Sequence, residues 1–208
     1  MEELIRQIAA AIATYFSAYE KIIDPKKRIP TSIILGALQS TRDLIHHHFG
    51  GPIRFRCAKS KAGNLNQCEQ EGFGVLEYLV DFSFSKFSIP QAIGDPNAPQ
   101  DIQPIAYQLV FAAESELGTP NEVCRDLLKL LDVRSSIRCL LFERRIQQPD
   151  ADQLKTRMLN VLRNHALIED TMSGWLFIAL DVQDGKVVCY FYTLGNNLDD
   201  LVTIEIEA

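Results

Sequence analysis

No run of apolar residues in the chain is long enough to cross a bilayer: stretches such as residues 9–13 fall far short of the roughly 20 residues a spanning helix needs. Nor does the start read as a secretory leader, because Glu2, Glu3 and Arg6 stand where a basic start and an apolar run belong. Together these lacks predict a soluble, cytoplasmic protein with no membrane partner. Cysteine is sparse and odd in number, with five residues at scattered spacings, Cys57, Cys68, Cys124, Cys139 and Cys189. That argues against a disulfide framework and for reduced thiols. Cys124 and Cys139 fall on apolar-rich segments and read as buried thiols. Cys57 and Cys68 lack the second ligand pair that a structural zinc site needs. There is no internal repeat and no low-complexity tract.

Positive charge is also in deficit. The net charge of −6 taken alone disfavours nucleic acid as a partner. Its distribution softens that exclusion. Between Glu122 and Arg163 there are nine lysines and arginines against six acids, while from Glu169 onward one lysine faces eight acids. The acidity is concentrated in the last fifth of the chain, which leaves room for a basic face elsewhere. What is present is ordinary globular composition, 47% apolar and 23% charged over 208 residues. That length is enough for one domain with a sizeable core and no staples.

Periodicity divides the chain into helices and strands. Leu4, Ile8, Ala11, Ile12, Tyr15 and Tyr19 recur at helical spacing over residues 3–23, and Asp24-Pro25 stops the run because proline excludes the helical region for its predecessor. The basic patch Lys26-Lys27-Arg28 links to a second helix, expected over residues 31–48 and ended by Gly50-Gly51-Pro52. His46, His47 and His48 point around that helix and cannot share one ion well. They read as favourable charges at a helix C-terminus.

A short strand is expected at 53–57, a polar loop at 59–72, strands at 75–84 and 105–116, and a proline-rich loop at 88–104 long enough to carry function. Thr119-Pro120 opens a helix over 120–133, buried through Val123, Leu127, Leu130 and Leu131. A strand at 137–143 follows. Asp150 with Gln153 then resembles a capping box for a helix carrying Leu154, Met158, Val161, Leu162 and His165 on one face. Two strands, 175–182 and 186–192, flank an Asp-Gly turn, and Val202, Ile204 and Ile206 alternate as a last strand. The reading is an α/β fold: a mixed central sheet flanked by helices, with N-terminal helices at 1–50, a core at 52–168 and C-terminal strands at 173–208, all one domain.

Chemistry concentrates in carboxylates. Side chains alternate across a strand, so Glu114 and Glu116 are expected on one face with Ala112 and Val110, and Ser115 on the other. Their backbones lie about 7 Å apart at roughly 3.3 Å of rise per residue. Asp81 shares parity with Glu77 on the preceding strand. If the two strands are antiparallel neighbours, Asp81 approaches both glutamates. Three carboxylates at one point need a cation, protons or a basic partner, and they suit a hard divalent ion, Mg²⁺ or Mn²⁺. The bland alternative is a solvated strand end. On the next helix, Asp126 and Lys129 stand three apart, either as a solvated pair or with Lys129 or Arg125 leaning toward the acids. Arg134, Arg138, Arg144 and Arg145 could extend a surface that contacts a phosphate backbone.

These stretches, Glu77-Tyr78-Leu79-Val80-Asp81-Phe82, Ala113-Glu114-Ser115-Glu116-Leu117-Gly118 and Asp126-Leu127-Leu128-Lys129-Leu130-Leu131, carry a family resemblance. In their order they resemble the restriction endonuclease-like PD-(D/E)xK nuclease superfamily, and in particular a group of uncharacterised bacterial proteins assigned to it. The likeness spans roughly residues 30–145. It implies a restriction endonuclease-like core with an N-terminal helical arm and a C-terminal hairpin, nucleic acid as partner, and a Mg²⁺- or Mn²⁺-dependent phosphodiesterase site. Asp81 and Glu114 would be metal ligands. Glu116, a third ligand or water-orienting group, would stand where most members carry lysine, as it does in some restriction enzymes. Lys129 would then be the nearest basic candidate to stabilise charge. Val80 stands where the motif's proline would be. The rival reading is a nuclease-like module without turnover that binds protein or nucleic acid. In that reading the Tyr190-Phe191-Tyr192 strand becomes a partner or homodimer surface, although core is the commoner fate of such residues.

Overall fold

The apolar periodicities become, in the computed structural model, a seven-stranded mixed sheet with helices on both faces. The structure describes residues 1–18, 29–50, 53–57, 80–88, 106–143, 148–164, 174–183, 186–195 and 200–206. Three helices, α1 (Glu2–Ser17), α2 (Thr31–Gln39) and α3 (Arg42–Phe49), precede β1 (Ile53–Cys57), β2 (Phe82–Ser88) and β3 (Ala106–Glu116). Helix α4 (Pro120–Asp132) leads to β4 (Ile137–Glu143), and α5 (Gln148–Asn164) to β5 (Gly174–Gln183), β6 (Lys186–Leu194) and β7 (Leu201–Thr203). The strands lie in chain order, β1 to β7. β3, β4 and β5 are parallel, and the pairs on either side are antiparallel.

The two parallel connections advance the strand order in one direction. A shared right-handed crossover therefore lays α4 and α5 on the same face. There Val123, Leu127, Leu130, Leu154, Met158 and Leu162 meet Ala112, Leu140, Phe142, Trp175 and Phe177. The N-terminal helices cover the other face, where Ile8, Ile12, Ile34, Leu35 and Leu38 join Phe82, Phe84, Phe111, Cys139, Leu141 and Ile178. Helix α1 packs on β5 and β6. The expected arm is thus part of the fold's second layer, and β5 to β7 continue the central sheet.

Several boundaries move. The single helix expected over 31–48 is two, broken at Ser40-Thr41. There the hydroxyls of Ser40 and Thr41 donate to the carbonyls of Ala37 and Leu38, each at 2.7 Å; such bonds compete with the helical ladder and bend it. Gly50 closes α3 at φ +63°, backbone that glycine adopts without strain. β2 starts at Phe82 with Asp81 just outside it, and helix α5 starts at Gln148, so Asp150 is not its cap. The last strand is only Leu201–Thr203, with Leu201 and Ile204 buried and Val202 48% exposed. Of the expected Val202, Ile204, Ile206 alternation, Ile204 is buried and Ile206 packs against the same core, but both lie beyond the strand, and Val202 is turned outward. A register shift between Phe84 and Ser85 leaves Val110 opposite no residue of β2. This bulge turns Val110 to the α1–α3 face beside Phe111, away from the face of Ala112 where parity had placed it. Ser88, expected to open the proline-rich loop, is the last residue of β2. Tyr19, Asp24-Pro25, the Lys26-Lys27-Arg28 patch, Gly51-Pro52, the strand residues 75–79 with Glu77, the loop at 59–72, residues 89–104 of the proline-rich loop, Arg144, Arg145, His165 and Asp184-Gly185 lie outside the described residues.

Candidate metal centre

Antiparallel pairing brings the start of β2 to the end of β3. The ladder closes with Phe82 opposite Ala113, so Asp81 arrives beside Glu114 and Ser115. It takes the place of the next ladder acceptor: the backbone N–H of Ser115 donates to Asp81 Oδ2 at 3.0 Å, and the Ser115 hydroxyl to the same oxygen at 3.2 Å. Glu114 lies on the α4 face, at the carboxyl end of a parallel strand, where open α/β sheets place their ligands.

The third carboxylate comes from α4. After β3 the chain turns through Leu117-Gly118-Thr119 and runs back over the sheet. Pro120 sits at the first position, and Thr119 and Glu122 form a reciprocal capping box. Six helical residues on, about 9 Å back at 1.5 Å per residue, stands Asp126. Glu114 lies about 7 Å back from the strand's end, so the two side chains meet. Asp126 belongs to the buried stripe of Val123, Leu127 and Leu130, and is only 6% exposed. Among the described residues, Asp81, Glu114 and Asp126 present oxygens within 4.8 Å of one another.

Lys129 stands one turn further on. Its ammonium is 2.7 Å from Asp126 Oδ1 and 3.6 Å from Glu114 Oε1, with 42% of the side chain exposed. The pair with Asp126 is therefore half-buried and turned to the acids, not a solvated surface pair. The longer contact is within ion-pair range but beyond a hydrogen bond. Glu114 is 1% exposed, and among the described residues no hydrogen-bond donor reaches either of its oxygens. Burial first, then the charges of Asp81 and Asp126, push its carboxyl up to about 9, with Lys129 opposing and a hydrogen bond to Asp81 adding to the rise. In the absence of a cation, the site thus resolves its repulsion by placing a proton on Glu114. For Lys129, burial by itself would lower the value. The hydrogen bond to Asp126 and the charges of Glu114, Asp126 and Asp81 outweigh it and raise the ammonium's pKa, which keeps the group cationic.

No family model matches the chain, and no curated protein is significantly similar to it. The centre is therefore read from its own geometry. Asp81, Glu114 and Lys129 are brought together. Glu116 stands apart, its Oε1 accepting from the Gly118 N–H at 2.6 Å. That bond closes the turn between β3 and α4, and a methyl group at Gly118 would collide with the carboxylates of Glu116 and Glu122. The residue that periodicity missed is Asp126. Its spacing from Val123, Leu127 and Leu130 was the available signal, because a charged residue rarely lies on a buried stripe without a task. Arg125, the other candidate to lean toward the acids, is exposed, and so is Arg134 of the arginines considered for a backbone-binding surface. Arg138 is buried: its Nε donates to the carbonyls of Leu130 and Val133, and its guanidinium lies 5.3 Å from the Trp175 ring centre. It is a strut between α4 and the sheet.

The donor set suits a hard divalent cation. Three carboxylates and one ammonium leave two negative charges when all are ionised. All the atoms offered as ligands are oxygen, and those of Glu114, Asp81 and Asp126 lie within 4.8 Å of one another. No helix among the described residues is long and apolar enough to cross a membrane.

Proposed function

We propose that the protein is a divalent-metal-dependent phosphodiesterase acting on nucleic acid, with Asp81, Glu114 and Asp126 as the ligands of Mg²⁺ or Mn²⁺. One observation carries this reading: a fully buried glutamate, with no hydrogen-bond donor on either oxygen among the described residues, lies within 4.8 Å of two further carboxylates. A divalent ion held there would polarise a phosphoryl oxygen and lower the pKa of a bound water. Asp81 accepts two hydrogen bonds from Ser115, and Asp126 pairs with Lys129. Lys129 remains cationic and half-exposed, suited to stabilise charge on the phosphate, the part usually taken by the motif lysine that Glu116 replaces. The resemblance to restriction endonuclease-like enzymes points the same way. An acid precedes one strand, an E-x-E closes the next, and a helix follows.

The test is cleavage of plasmid, single-stranded DNA and RNA with Mg²⁺ or Mn²⁺ against a chelator control. The wild-type chain is expected to cut and the Glu114→Ala protein not to. If the two cut equally, the enzyme reading fails.

A second reading has its own support. A proton on Glu114, hydrogen-bonded to Asp81, satisfies the pair without any ion. The chain would then be a module without turnover that binds protein or nucleic acid. Mn²⁺ titration calorimetry separates the two. Binding by wild type but not by the Asp81→Asn, Glu114→Gln, Asp126→Asn protein supports the metal site, and equal heats support the silent module.

A further inference from the structure

We propose that Ser115 is a positioning residue for the metal centre, acting through Asp81. This inference rests on the metal reading above. By strand alternation Ser115 points away from Glu114, so it is not itself a member of the acidic group, and the E-x-E pattern leaves its position unspecified. Yet it is buried at the same level of β3 and makes two hydrogen bonds to one oxygen of Asp81, from its N–H at 3.0 Å and its hydroxyl at 3.2 Å.

The geometry explains why such help is needed. Asp81 lies outside the β2 ladder, whose last pair is Phe82 with Ala113. An aspartate just ahead of a strand has several rotamers open to it, so hydrogen bonds to its carboxylate decide where that carboxylate points. The paired donors of Ser115 hold Oδ2 at the sheet edge. That carboxylate lies within 4.8 Å of those of Glu114 and Asp126, so the oxygen Ser115 holds sets how Asp81 faces the site. Outer partners of this kind orient ligating carboxylates, and their loss typically weakens metal binding about 10- to 100-fold. The backbone N–H alone sets a distance. Adding the hydroxyl constrains the direction as well.

The experiment counts free Mn²⁺ by its electron paramagnetic resonance signal during titration of the full chain, with circular dichroism confirming the fold of each variant. Ser115→Ala is expected to raise the Mn²⁺ Kd about 10-fold, and Ser115→Thr, which restores the hydroxyl, to return it to within about 3-fold of wild type. If Ser115→Ala binds as wild type does, whatever its thermal stability, the positioning role is overturned while the metal site stands. A folded Ser115→Thr protein that binds as poorly as Ser115→Ala also overturns it. Absence of Mn²⁺ binding by wild type sinks the metal reading itself, and this inference with it.

Discussion

The two faces of one sheet have been put to different uses. Under α1, α2 and α3, the side chains of Phe82, Phe84, Phe111 and Ile178 meet Ile8, Ile12 and Ile34, and the rings of Phe82, Phe84 and Phe111 pack with centroids 5.0 to 6.1 Å apart. Under α4 and α5 the interior is as apolar in its middle, but at the end of β3 it gives way to Glu114 and Asp126, both buried. The same strand supplies both: Phe111 and Ala113 face one way, Ala112 and Glu114 the other. Alternation lets one segment close a dry core and carry charge at once. The cost of burying that charge then falls on the face that holds the site.

That contrast can be broken first on the dry face. Ile12→Ala, in a helix whose buried side chains all belong to this layer, is expected to cost about 2–5 kcal/mol through lost burial and the cavity left behind. Urea unfolding would read it. Mn²⁺ affinity should stay unchanged, because distant sites add independently. Loss of ion binding in a folded Ile12→Ala protein would mean that the faces are coupled, not separate.

The charged face is tested by pH in the presence of a chelator. The folded chain holds the Glu114 proton up to about 9, whereas the unfolded chain releases it near 4.5. Between these values the folded state binds more protons. Stability from this group is therefore complete below about 4.5 and is lost as pH rises through 9, with a slope of at most about 1.4 kcal/mol per pH unit. Glu114→Gln, neutral at every pH, should flatten that decline and be the more stable protein at pH 8, while binding no Mn²⁺. Identical pH profiles for the two proteins would contradict a protonated Glu114.

Lys129→Met is a milder change. It strips Asp126 of its ammonium partner, but the lysine is 42% exposed, so solvent limits the penalty to about 1–2 kcal/mol by chemical denaturation. Cleavage should fall about 100-fold or more if Lys129 stabilises charge on the phosphate, with Mn²⁺ binding retained. Loss of both together would make Lys129 a support of the ligands instead.

The sheet was largely legible in advance because strand and helix periods differ. β3, α4 and β4 appear within a residue of their expected limits, and antiparallel pairing of β2 with β3 was enough to send Asp81 to Glu114. What escaped depends on single side-chain bonds or on tertiary closeness. The Ser40 and Thr41 hydroxyls that split one helix into two compete with the backbone locally, and hydrophobic spacing is blind to them. The bulge that sends Val110 to the opposite face adds one residue without altering composition. Asp126 was legible in principle from its place on the α4 stripe. Its i, i+3 spacing to Lys129 drew attention to an exposed pair, when burial makes it part of the site.

Glu116 gives the smallest effect and the sharpest contrast, since it shares its strand and nominal face with Glu114. Parity puts the two together, but β3 ends at Glu116 and the turn that follows offers it the Gly118 N–H at 2.6 Å. Once that bond forms, the carboxylate belongs to the turn. Glu116→Ala should then cost about 1 kcal/mol of stability, the usual net worth of such a bond, and leave the Mn²⁺ Kd unchanged. Glu116→Gln keeps an acceptor oxygen for Gly118 and should recover most of that loss. If instead Glu116→Ala weakens Mn²⁺ binding as strongly as Asp126→Asn, then Glu116 reaches the ion after all. The division between a turn-closing glutamate and a ligating one would then be lost.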